Sequence, residues 1–79
     1  MSTPTEVREY IAGEVRAAMG RREINKTALA KSLGLSIQTV SESLAGRRAF
    51  STDELATICE LLAVDFLDLF PPTSERAAS

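Results

Sequence analysis

Apolar residues recur along this chain at spacings of three and four. Nowhere do they alternate with polar ones over a stretch long enough for a strand, so the pattern predicts an all-α fold. Val7, Tyr10, Ile11, Val15, Ala18 and Met19 form the first stripe. The helix that carries them has a marked start. Thr3 is placed to cap it, Pro4 suits a first position that needs no amide hydrogen, and Glu6 completes a capping box. Gly20 is the expected stop.

Asn25 is a good cap for a second helix running to Leu33, with Leu29, Ala30 and Leu33 inward. Gly34 can take the left-handed conformation that ends it. Ser36 then caps a third short helix whose inner side is Val40 and Leu44, and Gly46 ends that one in the same way. Ser51 and Glu54 form a second capping box, after which Leu55, Ile58, Cys59 and Leu62 make another stripe. Asp65 is placed to cap a fifth helix of a turn or two carrying Phe66, Leu69 and Phe70, and Pro71 and Pro72 stop it. These elements make one domain over 1–72. Residues 73–79, TSERAAS, offer nothing apolar to pack and are expected to form a flexible tail.

Composition narrows the chemistry. At 79 residues the core is thin, because a domain of this size buries only about 60% of the surface its unfolded chain exposes. A large catalytic cleft does not fit. Histidine is absent, which removes the commonest general base and most zinc sites. Cys59 is alone, so no internal disulfide or cysteine cluster forms and a reducing compartment is expected. The first residues, MSTPTEVREY, have neither the basic nor the apolar stretch of a signal peptide, and LLAV at 61–64 is too short for a membrane span. The chain therefore reads as a soluble binding protein, not an enzyme, with no cofactor, metal, membrane or small-molecule ligand.

The net charge of −2 conceals a strong asymmetry. From Arg16 to Arg48 seven basic residues face only Glu23 and Glu42, a local charge of +5, while the rest of the chain holds −7. A basic middle between acidic flanks points to one charged face and an anionic partner.

That middle contains NKTALAKSLGLSIQTVSESLAGRR, two short helices meeting across Gly34, Leu35 and Ser36, which is a helix-turn-helix arrangement. Ala30 must be small because the third helix crosses close over it, Leu35 plugs the underside, and Val40 fills the angle between the helices. Asn25, Leu29-Ala30, Gly34-Leu35-Ser36, Val40-Ser41 and Gly46, in register without a gap, resemble the phage repressor and Cro-like helix-turn-helix family. The likeness extends to the closing VDFLDLF. It implies a compact five-helix domain that binds duplex DNA, usually as a dimer on a near-palindromic operator, in the cytoplasm and on the nucleoid of a bacterial host.

In that family the third helix enters the major groove, so its outward residues are the expected base readers. With Val40 and Leu44 inward, Gln38 and Glu42 point most directly out, flanked by Thr39, Ser41 and Ala45. Gln38 can pair with adenine, Glu42 can accept from a cytosine amino group, and Thr39 or Ser41 can serve either role. Ile37 departs from the polar residue common there and offers a thymine methyl contact or packs inward. Ala45 departs from the usual asparagine. Asn25, Lys26 and Thr27 at the start of the second helix are expected to meet phosphates, as are Arg47 and Arg48 after the third, with Arg21 and Arg22 as further candidates. Phe66, Leu69 and Phe70 are expected at a homodimer interface completed on DNA. Two other readings stand beside this one: the DNA-binding antitoxin of a toxin–antitoxin pair, whose further partner is a toxin protein, and a helical protein-interaction module without DNA binding, in which the acidic first and fourth helices engage a protein and the basic middle is incidental.

Overall fold

The first helix, α1 (Pro4–Arg22), is the spine on which the other elements pack, in a computed structural model that describes residues 3–72. The tail expected over 73–79 lies outside the described residues. After α1 come α2 (Lys26–Leu33), α3 (Ile37–Leu44), α4 (Thr52–Leu62) and a closing 3-10 turn (Phe66–Leu69). Among the described residues no strand is present, and no helix is long and apolar enough to cross a membrane. α1 packs on α3, on α4 and on the closing turn, while α2 packs on α3 and α4. The common core draws on every element. Val15, Leu29, Val40, Ile58, Leu62 and Leu69 are all essentially sealed from solvent, and each of the larger ones contributes about 1.5–3 kcal/mol of burial free energy.

The apolar stripe of α1 differs from its expected membership in one pair. Tyr10 is 38% exposed, whereas Ala12 is buried. At 100° per residue the stripe centres between Ile11 and Met19, which brings Ala12 in and carries Tyr10 round to the far side. The start of α1 also differs in detail. The Thr3 hydroxyl accepts from the Glu6 amide at 3.1 Å, but the Glu6 carboxylate takes its bond from that same hydroxyl, so only half of a capping box forms. The fifth helix is a single 3-10 turn. Asp65 precedes it without a side-chain capping bond, and Phe70 falls just after it.

All four α-helices close in the same manner. An amide just past each helix reaches the carbonyl five residues back: Ile24 to Met19, Leu35 to Ala30 and Arg47 to Glu42 at 3.0 Å, and Val64 to Cys59 at 3.1 Å. The residue before each of those donors is left-handed. Gly34 and Gly46 fill that position as expected, at φ 68° and 82°, but Glu23 and Ala63 fill it for α1 and α4 at 56° and 55°. Gly20 is therefore not the stop of α1. The helix runs on to Arg22, because the apolar Ile24 has to fold back onto the core and the left-handed residue must directly precede it.

Between α3 and α4 the chain is held by Arg48. Its guanidinium forks onto the Glu54 carboxylate, Nη1 to Oε1 at 3.1 Å and Nη2 to Oε2 at 3.0 Å, and Nη1 also donates to the buried Ser43 hydroxyl at 2.8 Å. Glu54 additionally accepts from the Ser51 amide, while Ser51 Oγ accepts from the Glu54 amide, which completes the expected capping box. Hydrogen bonding from Arg48 first, and then from the Ser51 amide, holds the Glu54 carboxyl below its ordinary value against the opposing effect of burial. Cys59, expected as a core thiol, is half-buried beside the core; burial, then the Asp65 charge, raises its pKa.

Two stability predictions follow from these contacts. Gly20 sits inside the helix with open space around it, so Gly20→Ala is expected to raise stability by about 0.5–1 kcal/mol, and Glu23→Gly by a similar amount through relief of the left-handed backbone. Gly46→Ala should cost more than Gly34→Ala. Both are left-handed, but a Cβ on Gly46 meets Glu9 Cγ at 3.0 Å while one on Gly34 meets nothing. Urea midpoints of the four variants check this order, and equal losses at the two left-handed glycines would contradict it. The second concerns pH. A lowered folded value for Glu54 contributes stability that is present above the ordinary carboxyl value of 4.5 and is lost as pH falls below it. Glu54→Gln should cost about 1 kcal/mol at pH 7 and flatten the acid limb of the stability curve.

Candidate nucleic-acid interface

The inner side of α3 fixes its pose. Val40 and Ser43 are fully buried and Leu44 nearly so, so three of its eight residues are committed to the interior. Ser36 sets its start, with the side-chain oxygen accepting from the Thr39 amide at 3.1 Å and donating to the Thr39 hydroxyl at 2.8 Å. Its last carbonyls are also satisfied. Arg16 of α1 donates to the Leu44 carbonyl, and the Arg47 and Arg48 amides both reach the Glu42 carbonyl. The helix thus faces outward with its backbone already satisfied at the C-terminal end.

Its outer side carries the expected base readers. Ile37 is 50% exposed, so it does not pack inward, and Gln38 is exposed with no hydrogen-bond partner among the described residues. The remaining three are engaged within the chain. Thr39 shares the Ser36 cap, the Ser41 hydroxyl accepts from Lys26 Nζ at 3.3 Å, and Glu42 Oε2 receives Arg47 Nε at 2.5 Å. Hydrogen bonding to Arg47 holds the Glu42 carboxyl below its ordinary value, and the same bond raises the Arg47 guanidinium above its own.

Beside α3 lies the start of α2. Asn25 Oδ1 accepts from the Ala28 amide at 2.8 Å, and Lys26 and Thr27 stand exposed in the first turn, where free amides and the helix dipole favour an anion. The reach of Lys26 to Ser41 ties this turn to the middle of α3. A groove of about 490 Å³ runs between α1, this turn and α3, lined by Arg16, Lys26 and Ser41 over Met19, Ile24 and Leu44. The start of α2 is therefore joined to α3 through Lys26 and Ser41, and Arg47 is joined to α3 through Glu42.

Two of the expected phosphate contacts are engaged elsewhere: Arg48 is held by Glu54 and Ser43, and Arg22 Nε donates to the Leu62 carbonyl at 3.0 Å. Arg21 is exposed and lines a second groove with Glu14, Asp65 and Asp68. Among the expected interface residues, Leu69 is only 2% exposed and belongs to the core, because the 3-10 turn aims it at α1 and α4. Phe66 is 38% exposed, its ring 5.1 Å from that of the half-buried Phe70. Leu67, which the sequence pattern did not single out, is the most exposed large apolar residue at 64%. Arg16 and Ser43 were also missed as parts of this site. The signal for Ser43 was a small polar residue inside the Val40–Leu44 stripe, five positions before an arginine.

Comparison with known proteins places this arrangement. The Corynebacterium glutamicum clp gene regulator ClgR superposes with a TM-score of 0.73 at 26% identity, over 78% of this chain and 66% of that one. This chain thus spans just under two thirds of that structure. Another structure of ClgR gives a TM-score of 0.70 at the same identity, with 80% of its chain covered. The hypothetical transcription factor NHTF from Neisseria gives 0.74 at 20% identity, over 99% of this chain and 90% of that one, a likeness of fold alone. No protein of curated function matches the sequence. Residues 14–73 match the family model of the Cro/C1-type HTH DNA-binding domain, and the chain belongs to that helix-turn-helix family.

Proposed function

We propose that this chain is a DNA-binding transcription regulator that lays α3 in the major groove of an operator and acts by occupying it, in the manner of a phage repressor or Cro. The observation that carries this reading is the division of α3 into a buried inner side of Val40, Ser43 and Leu44 and an outer side that presents Ile37, Gln38 and Glu42 beside the amide-rich start of α2. An α-helix held in this way fits the major groove, and its outward polar residues match base edges. Lys26, Thr27 and Asn25 would fix the register on one strand's phosphates, and Arg47 would approach the backbone at the other end of α3. The names of the structural neighbours, a clp gene regulator and a hypothetical transcription factor, agree with regulation. A second copy joined through the exposed Phe66, packed against the half-buried Phe70, would present two α3 helices to successive major grooves.

Enrichment of bound duplexes from a random DNA pool tests the reading directly. Lys26→Ala is expected to weaken binding to all sequences alike and to reduce the salt slope by about one, the signature of one lost phosphate contact. Gln38→Ala is expected to cost about 1–3 kcal/mol on the enriched duplex and far less on random DNA. No enrichment at low salt would refute DNA recognition. Sedimentation on and off the enriched duplex checks the pairing. Cooperative loading by the parent that is lost in a folded Phe66→Ala variant is the expected result, and full-affinity binding of one subunit to an asymmetric half-site would count against it.

A further inference from the structure

The four helix ends share one backbone closure but not one side-chain pairing. In that closure the residue that donates back and the residue whose carbonyl accepts are brought side by side, and an apolar contact frequently joins them. Three of the four ends here carry such residues: Met19 with Ile24, Ala30 with Leu35, and Cys59 with Val64. Ile24, Leu35 and Val64 all pack against the core. At the end of α3 the same two positions hold Glu42 and Arg47, joined as an ion pair with their side chains 42% and 66% exposed. This is the one end whose accepting residue lies on the outward side of the candidate recognition helix.

The pair is not needed to close the helix. The Arg47 and Arg48 amides already satisfy the Glu42 carbonyl, Gly46 supplies the left-handed turn, and exposed ion pairs contribute little to folding. What the pair does alter is the charge that α3 offers to DNA. Arg47 is a cation at the edge of the outward side whose Nε hydrogen is already given to a carboxylate, the same acceptor chemistry as a phosphate oxygen.

We propose that Glu42 is a specificity-determining residue that works as an internal substitute for a DNA phosphate. It occupies Arg47 in the free protein and yields it to the backbone only where a cytosine amino group takes over the carboxylate. This rests on the DNA-binding reading and deepens it. On non-cognate duplex, Glu42 has no donor to meet and the pair stays closed, so one phosphate contact is withheld. On a duplex with cytosine at that position, the carboxylate accepts from the base and Arg47 is freed for a phosphate. Discrimination then arises as much from weak binding to the wrong sequence as from strong binding to the right one.

A double-mutant cycle with Glu42→Gln, Arg47→Ala and their combination separates this from simple repulsion. The probes are a random-sequence duplex and the duplex enriched by the parent protein, each titrated over a range of salt. Glu42→Gln is expected to raise affinity for the random duplex about five- to tenfold at 0.1 M salt and to steepen the salt slope by about one, because one further phosphate is contacted. In the Arg47→Ala background the steepening should vanish and the gain should shrink to what the removal of one unpaired carboxylate leaves. The ratio of enriched to random affinity should fall in Glu42→Gln, and cytosine preference should disappear from duplexes selected by that variant. In the free proteins the Arg47 Nε–H resonance should shift on Glu42→Gln, which reads the pair without any DNA. An equal gain with and without Arg47, or no gain in either background while the parent still binds its enriched duplex, overturns the proposal. A parent and variants that bind no duplex at low salt overturn the DNA-binding reading itself.

Discussion

A short helix that must turn sharply has to find partners for its last carbonyls within a few residues, and in this domain a single backbone solution is used at every α-helix end. The recurring left-handed residue and the amide that returns five positions set where each following element starts. The α2–α3 angle, the seat of Arg47 on Glu42 and the return of Ile24 and Val64 to the core all descend from it. At the end of α3 the constraint is doubled, because the left-handed Gly46 also lies against the Glu9 side chain and backbone. The pose of the outward side of α3 therefore depends on a residue with no side chain.

Burial supplies what these closures cannot. With a thin core, each element has to commit its whole inner side, and α3 does so with a serine as well as with Val40 and Leu44. A buried hydroxyl is tolerable only when it is bonded. Arg48 meets that requirement and at the same time connects α3 to the capping box of α4. The connection explains why two adjacent arginines have different surroundings: Arg48 is drawn inward by Ser43 and Glu54, and Arg47 stays at the surface with Glu42.

Much of this was legible in the sequence, and for identifiable reasons. Asn25, Ser36 and Ser51 announced helix starts because a short polar side chain is the chemistry that an unpaired amide requires, and Gly34 and Gly46 announced ends because they adopt positive φ without strain. Glu23 and Ala63 take the same conformation against their preference, held there by the apolar residues that follow, so composition gave no sign of them. The outward position of Gln38 followed from the helical repeat alone. The engagement of Arg22 and Arg48 did not, since an arginine reaches acceptors beyond its own helix, here the Leu62 carbonyl and the Glu54 carboxylate. Local charge counted those residues together, and the fold separated them.

The separation of duties within α3 also bears on how such a domain can diverge. Val40, Ser43 and Leu44 hold the helix against α1, α2 and the loop before α4, whereas Ile37, Gln38 and Ala45 contribute almost nothing to that hold. Substitutions at the outer positions can accumulate with little penalty in folding, so a duplicated copy could drift toward a new target without first having to rebuild its interior. Ser41 and Glu42 are less free to drift. Each is tied to a cation on a neighbouring segment, and a change at either one alters the charge presented by Lys26 or Arg47 along with the residue itself.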